Sequence, residues 1–335
     1  MPDDAAAALA AAAFAPVREA VAAGRIPGAV LGVTTRDGRA VLAAGLARRV
    51  PTPIAMTPAT WFDLASLTKV IFTTTTILRL AEAGRLDLDA PLTQAIPDLR
   101  QYDARAPERR LTFRQCLTHA THLPAVEPLY TYGQDPATLR AFVLQREWRA
   151  GPPVYSDINF ILLGIAIERL TGRPLAEQAP PGFGFAPDPD LCAATEHCAW
   201  RGRVLRGEVH DENAFALGGA AGHAGLFGPA SAVLDVARGL LDGGGLGPAS
   251  LAAIQAPAGR HRTVGWEHRH PGWSGGDACS EATIGHTGFT GTGLWIDFAA
   301  GRAWTLLTNR VHPSRHVDTG IAALRRAVGD RIAAA

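Results

Sequence analysis

The sequence predicts an α/β (α+β) fold: an antiparallel sheet flanked by helices, with a mostly helical part inserted between the two halves of the sheet. Three observations carry that prediction. Two strand-like runs flank the tight turn Asp37-Gly38 near the start, and two more flank Ala300-Gly301 near the end. The strongest segments of the long middle are helical. A helix precedes the first strand pair and another follows the last.

Residues 5–23 read as one amphipathic helix stopped by Gly24. Ile26 to Thr34 and Arg39 to Leu46 form the first hairpin, and a Pro-rich loop runs from Pro51 to Pro58. A helix carrying Ser66 and the apolar run Val70 to Leu80 should stop at Gly84. Residues 85–110 are mostly loop. Thr112 can cap a helix reaching His119, and a further helix spans 136–148. Phe160 to Leu170 is strongly apolar and closes at Thr171-Gly172, with Asp157 as the cap of a helix starting at Ile158. Residues 174–210 read as irregular. A glycine-rich patch, Leu217 to Phe227, permits tight bends and close backbone approach. A helix follows at 231–240, and Thr263 to Glu267 could be a short strand. Ile284 to Thr287, Leu294 to Phe298 and Trp304 to Thr308 are strands, and a last helix begins near Asp318. This order assigns 1–84 and 211–335 to the sheet-bearing part and 85–210 to the helical part.

Composition narrows the function. The 335 residues are 47% apolar, enough for a large core, and 32 basic against 31 acidic residues leave a net charge of +1. Neither sign accumulates along the chain, which argues against a nucleic-acid partner. The alanine-rich N-terminus carries Asp3 and Asp4 where an export signal would carry Lys or Arg, so a cytoplasmic location is expected. No membrane span is expected either. Cys192 and Cys198 have neither zinc-knuckle nor redox spacing, and with Cys116 and Cys279 they read as free thiols. His210, Asp211, Glu212 and His223 lack the H-E-x-x-H spacing, so no metal and no cofactor is expected. His119 and His122 read as structural hydrogen-bonding residues.

Chemistry concentrates in Phe62-Asp-Leu-Ala-Ser-Leu-Thr-Lys69. On a helix, Ser66 and Lys69 share a face, so a hydroxyl and an amine are neighbours. A lysine in a suitable environment can take the serine proton. Asp63 could cap that helix, placing Ser66 in its first turn, where backbone N–H groups favour an oxyanion.

Three segments together resemble one superfamily, the serine hydrolases that include class C β-lactamases, D,D-peptidases and related esterases. They are Ser66-Leu-Thr-Lys69, Tyr155-Ser-Asp157 and His286-Thr287-Gly288. They stand, in order, where that family has its S-x-x-K, Tyr-x-Asn and Lys-Thr-Gly elements. The resemblance, covering roughly Ile26 to Asn309, implies a β-lactamase/transpeptidase-like fold with the site in the cleft between its two parts. It implies Ser66 as nucleophile, Lys69 as its base or hydrogen-bond partner, and Tyr155 as proton shuttle to the leaving group. It places the oxyanion between the backbone N–H groups of Ser66 and Phe289.

Two departures bear on substrate. Asp157 replaces an asparagine and could keep Lys69 protonated, moving proton abstraction to Tyr155. His286 replaces a lysine that helps hold an anionic substrate end, and an ordinary histidine is mostly neutral at pH 7. Both disfavour carboxylate-bearing β-lactams and favour a small neutral ester or amide, with a carboxylesterase preferred. A D,D-peptidase is the nearest rival, followed by a weak β-lactamase, an acyl transferase and a non-catalytic binding protein. The partner expected is a small-molecule or peptide substrate.

Overall fold

The computed structural model describes residues 3–334. Helices α1 (Asp3–Ala13) and α2 (Ala15–Ala22) replace the single helix expected over 5–23. The break falls at Phe14, two residues before Pro16, whose ring cannot continue a helical hydrogen-bond ladder. By length and composition alone Ala5–Ala22 would pass for a membrane span. Here its apolar side, including Leu9, Phe14 and Val17, packs into the core.

Strands β1 (Gly28–Thr35) and β2 (Arg39–Arg48) form the expected hairpin, with the short β3 (Ile54–Ala55) beside β2. β4 (Trp61–Asp63) leads into the Ser66 turn, and α3 (Thr75–Glu82) follows it. The inserted stretch holds α4 (Phe113–Leu117), α5 (Pro136–Gln145) and α6 (Asp157–Thr171). Thr112 and Gln115 close α4 with a reciprocal capping box. Residues 174–210, read as irregular, contain the hairpin β5 (Ala194–Cys198) and β6 (Arg203–Arg206). Then come α7 (Glu212–Ala216), β7 (Phe227–Pro229), α8 (Ala230–Leu241) and α9 (Pro248–Gln255). The expected strand at 263–267 shrinks to β8 (Glu267–His268). The end of the chain supplies β9 (Thr283–Thr287), β10 (Gly293–Asp297), β11 (Arg302–Thr308) and α10 (Ile321–Ala334).

Seven strands make one antiparallel sheet in the order β3-β2-β1-β11-β10-β9-β8. The two ends of the chain meet at β1 and β11, in register from Ala29↔Thr308 to Thr35↔Arg302. β1 is buried on both faces. Ala29, Leu31 and Val33 point to the layer of α1, α2 and α10, and Val30 points to the opposite core. On the first side Trp295 and Trp304, cross-strand partners, stack at 5.9 Å between centroids. Gly32 lets Leu234 of α8 seat against the second side, 2.9 Å from where a Cβ would stand.

Helix α6 is buried from Ile158 to Ile167, apolar on nearly every side, and so runs through the helical core rather than over it. It ends at Gly172 in the left-handed conformation (φ 72). The glycine-rich patch crosses it at Gly164, where a Cβ on Gly222 would lie 2.0 Å from the Phe160 carbonyl oxygen. That backbone contact brings the patch to the start of α6 and to the Ser66 turn. All four cysteines are unpaired and buried.

Candidate active site

Ser66 does not occupy the first turn of an α-helix. It sits in a turn after β4, with Ala65 at φ 48, and the chain then winds as a π-helix over Lys69–Thr74 before α3. Asp63 ends β4 instead of capping a helix. Its Oδ1 accepts from the Ala65 N–H (2.8 Å) and its Oδ2 from the His210 N–H (2.6 Å). Burial pushes the Asp63 carboxyl pKa up, against these two backbone donors. The π-helical widening is a frequent device at functional sites.

Lys69 is fully buried and all three ammonium donors face oxygen. Nζ lies 2.9 Å from Ser66 Oγ, 3.1 Å from the His223 carbonyl oxygen and 2.7 Å from Asp157 Oδ1. Burial pulls its pKa down, but Asp157 and then Tyr155 outweigh burial and hold it up at about 12. Asp157 is thus not the cap of α6 but its first residue, with the carboxylate turned to the lysine. Lys69 Nζ is 5.1 Å from the centroid of the Tyr155 ring and 5.7 Å from that of Phe160.

The loop after β9 is stitched to the Ser66 turn. Thr290 Oγ1 donates to the Asp63 carbonyl (2.7 Å) and Thr292 Oγ1 to the Leu64 carbonyl (3.0 Å). Gly288 fits between them, since a Cβ there would lie 2.6 Å from the Leu64 carbonyl oxygen. The Gly288 and Thr292 carbonyls both accept from the buried Arg325 guanidinium of α10, at 2.9 and 2.7 Å. Among the described residues, neither the Ser66 nor the Phe289 backbone N–H donates to another protein group. Two preorganised donors therefore remain for a developing oxyanion. Phe289 itself is half exposed, over His210 and flanked by Arg310 and Arg315.

His286 is buried, 5.9 Å from Tyr155 between ring centroids. Its Nδ1 lies 3.0 Å from the Thr287 carbonyl oxygen, so that nitrogen carries the proton. Burial, then Arg262 and Lys69, push its pKa well below the ordinary histidine value. The aspartate at 157 does not restore its charge. Thr287, next on β9, is half-buried.

The sequence motifs do not single out several of the site residues. Thr290 and Thr292 lie just past the His286-Thr287-Gly288 segment, whose extension would have found them. Arg262 and Arg315 come from distant segments without any local pattern. His119 has a larger role than local hydrogen bonding alone. Its Nδ1 accepts from the Ser156 N–H (3.0 Å), and its ring packs on Tyr155 at 4.5 Å, holding that tyrosine's ring in place. The residues weighed as metal ligands are committed elsewhere. His210 pairs with Glu196 (3.1 Å), His223 with Asp211 (2.9 Å), and Glu212 with Arg315 at 2.5 Å. Against burial, which pushes it up, His223 and the Ala214 N–H hold the Asp211 carboxyl well below the usual carboxylate range. No three of these donors converge among the described residues.

Ser66, Tyr155, Asp157 and Phe289 line one open cleft of about 390 Å³, together with Tyr130, Asp211, Glu212, Asn213 and Arg315. A serine hydroxyl held by a buried ammonium, with two free backbone donors nearby, is the equipment of covalent acyl transfer.

These features define a serine hydrolase of the S-x-x-K class. The family model described as Beta-lactamase matches residues 15–328, and the chain belongs to that family. An N-acetylmuramyl-L-alanine amidase of Bacillus subtilis (strain 168) is 32% identical over 87% of this chain and 79% of that protein. A putative D-alanyl-D-alanine carboxypeptidase of Salmonella agona (strain SL483) is 29% identical over 78% of this chain and 72% of its own length. Among solved structures, a β-lactamase from Sulfitobacter sp. EE-36 has a TM-score of 0.73 at 23% identity, covering 98% of each chain. EstCE1, described as a hydrolase with promiscuous acyltransferase activity, has a TM-score of 0.71 at 23% identity, covering 98% of this chain and 100% of that one. Both share its fold, the one expected from the three sequence motifs.

Proposed function

We propose that this protein hydrolyses an amide bond in a peptidoglycan fragment, at or near the junction of muramyl sugar and peptide, through an acyl-enzyme on Ser66. The observation that carries the chemistry is the Ser66–Lys69–Asp157 cluster. With its pKa held at about 12, Lys69 is an ammonium at neutral pH and has no lone pair for the serine proton. Lys69 therefore holds Ser66 Oγ and favours negative charge beside it, and the proton is relayed through the Tyr155 hydroxyl, which takes it from Ser66 as its own proton passes to the scissile nitrogen. As Ser66 Oγ attacks the carbonyl carbon, the two N–H groups at Ser66 and Phe289 receive the oxyanion. Collapse of that intermediate breaks the C–N bond, and the amine departs with the proton relayed by Tyr155. Water then attacks the acyl-Ser66 ester along the same proton path in reverse and frees the acid.

The bond class follows from two supports. The Bacillus subtilis relative acts, by its name, on the amide between N-acetylmuramic acid and L-alanine. The cleft also carries Asp211, Glu212, Asn213 and Arg315 among its apolar and aromatic residues, polar groups that a sugar–peptide could engage. Neutral short esters stand as the second reading, favoured by the uncharged His286 and by the exposed Phe289 ring at the cleft. The deciding experiment is mass-spectrometric analysis of N-acetylmuramyl-L-alanyl peptide after incubation with the wild type and with Ser66→Ala. The wild type should release the L-alanyl peptide and Ser66→Ala should not. An intact muramyl peptide, with brisk turnover of p-nitrophenyl butyrate by the same preparation, would remove the amide reading and leave the ester one.

A further inference from the structure

A second cavity, of about 490 Å³, shares Tyr155 with the Ser66 cleft. Its other walls come largely from the segment 258–270 and include Arg260, His261, Arg262, Glu267 and His270, facing His119. This segment folds back on itself. Ala258 N–H donates to the Arg262 carbonyl (2.7 Å), Thr263 N–H to that of Trp266 (3.0 Å) and His268 N–H to that of His261 (3.2 Å). Val264 and Trp266, both buried, anchor the bend. The cavity wall is therefore built rather than loosely draped.

Its charge is one-sided. Glu267 is the single carboxylate on the wall, and its Oε1 is already 2.7 Å from His270 Nε2. The His270 ring stacks on that of His261 at 3.9 Å. The Arg262 guanidinium lies 5.1 Å from the centroid of the Tyr155 ring. Elsewhere in the fold buried or half-buried guanidinium groups have acceptors: Arg201 pairs with Glu208 and Arg315 with Glu196 and Glu212, while Arg325 donates to backbone carbonyls. Among the described residues neither the exposed Arg260 guanidinium nor the half-buried Arg262 guanidinium has a carboxylate or hydrogen-bond partner. An unpaired guanidinium on a cavity wall matches a carboxylate in geometry and charge. The neutral, buried His286 offers no such charge.

We infer that this cavity receives a carboxylate carried by the leaving group of the substrate, with Arg262 as its main partner and Arg260 as the second. The inference rests on the reading of Tyr155 as proton donor to the leaving group, because that places the departing fragment beside the Tyr155 ring and so beside Arg262. A free peptide carboxylate on the released amine has the required chemistry. Selectivity would then lie in the fragment that leaves, not in the acyl part held at Ser66.

The test compares 3-carboxyphenyl butyrate with 3-carbamoylphenyl butyrate, two esters alike in size whose leaving groups differ in charge. The wild type should favour the carboxylate. Arg262→Ala should lower the ratio of the two kcat/KM values on the order of tenfold, as loss of a charge-assisted hydrogen bond does. Arg262→Lys should recover part of that ratio, and added salt should erode the preference of the wild type. A ratio that is the same in wild type and Arg262→Ala would overturn the inference. So would an equal loss on both esters, which would mean that Arg262 acts only through Tyr155. Should the variants misfold, competition on the wild type decides, since benzoate should inhibit butyrate hydrolysis more strongly than benzamide and equal inhibition would overturn the inference. Esters report all of these outcomes, so a failure to cleave muramyl amides would leave this test standing.

Discussion

Replacing Asp157 by asparagine restores the residue that the S-x-x-K family usually carries there and removes the counter-ion of Lys69. Lys69 is fully buried, and Asp157 Oδ1 stands 2.7 Å from its Nζ. Burial alone pulls the lysine pKa down, and Asp157 is the largest influence holding it up at about 12, above an ordinary 10.5. That rise corresponds to about 2 kcal/mol of stability. Because the pKa is raised in the folded state, the contribution is complete below pH 10.5 and is lost as pH rises through about 12. Asp157→Asn should therefore cost about 2–3 kcal/mol at pH 7.5, within the range for stripping one partner from a buried pair. The gap should be widest near neutral pH, narrow from the pH at which the variant's lowered Lys69 loses its proton, and close in strong alkali. Urea denaturation at pH 7.5 and at pH 9 measures it. The same change should bring the Lys69 ionisation down, so that the pH–rate profile with an activated ester gains a limb on the acid side of the wild type's alkaline limit. Equal stability within about 0.5 kcal/mol, together with an unchanged profile, would refute the assignment of Asp157 as the group that keeps Lys69 charged.

Tyr155→Phe keeps the ring between His119 and His286 but removes the proton path, and turnover should fall on the order of 10² or more. Burst-phase kinetics that show unchanged acylation would place the proton elsewhere. Thr290→Val cuts the tie from the Phe289 loop to the Asp63 carbonyl. It should lower kcat more than it raises KM, because it shifts an oxyanion donor and leaves the groups that bind substrate in place. Activity should survive EDTA, since His210, His223 and Glu212 are spent on Glu196, Asp211 and Arg315. Loss on chelation with recovery on zinc would return those residues to the site.

Local patterns carried the sheet and its ends far. The Asp37-Gly38 and Ala300-Gly301 hairpins were readable because turn chemistry and strand periodicity act over a few residues. Pairing β1 with β11 joins residues nearly 280 apart, yet both strands are apolar on two faces and could only lie inside a sheet. The Ser66–Lys69 pair was legible too, because a helical or near-helical turn fixes a three-residue spacing whatever surrounds it. Less legible were elements with weak periodicity, such as the β5–β6 hairpin and α9, whose backbone pairing depends on neighbours brought in from elsewhere.

What only tertiary structure decided is the electrostatic state of the site. The sequence marked Asp157 and His286 as departures but left their charges open. The fold turns Asp157 from a helix cap into the counter-ion of Lys69, and it buries His286 among Arg262 and Lys69 so that its neutral form prevails. The free N–H groups, the Thr290 and Thr292 ties and the unpaired Arg262 beside Tyr155 likewise depend on segments more than a hundred residues apart meeting in space. A residue type and its spacing name the chemistry a chain can attempt. Which proton it holds depends on burial and on through-space charge, and those exist only once the chain has folded.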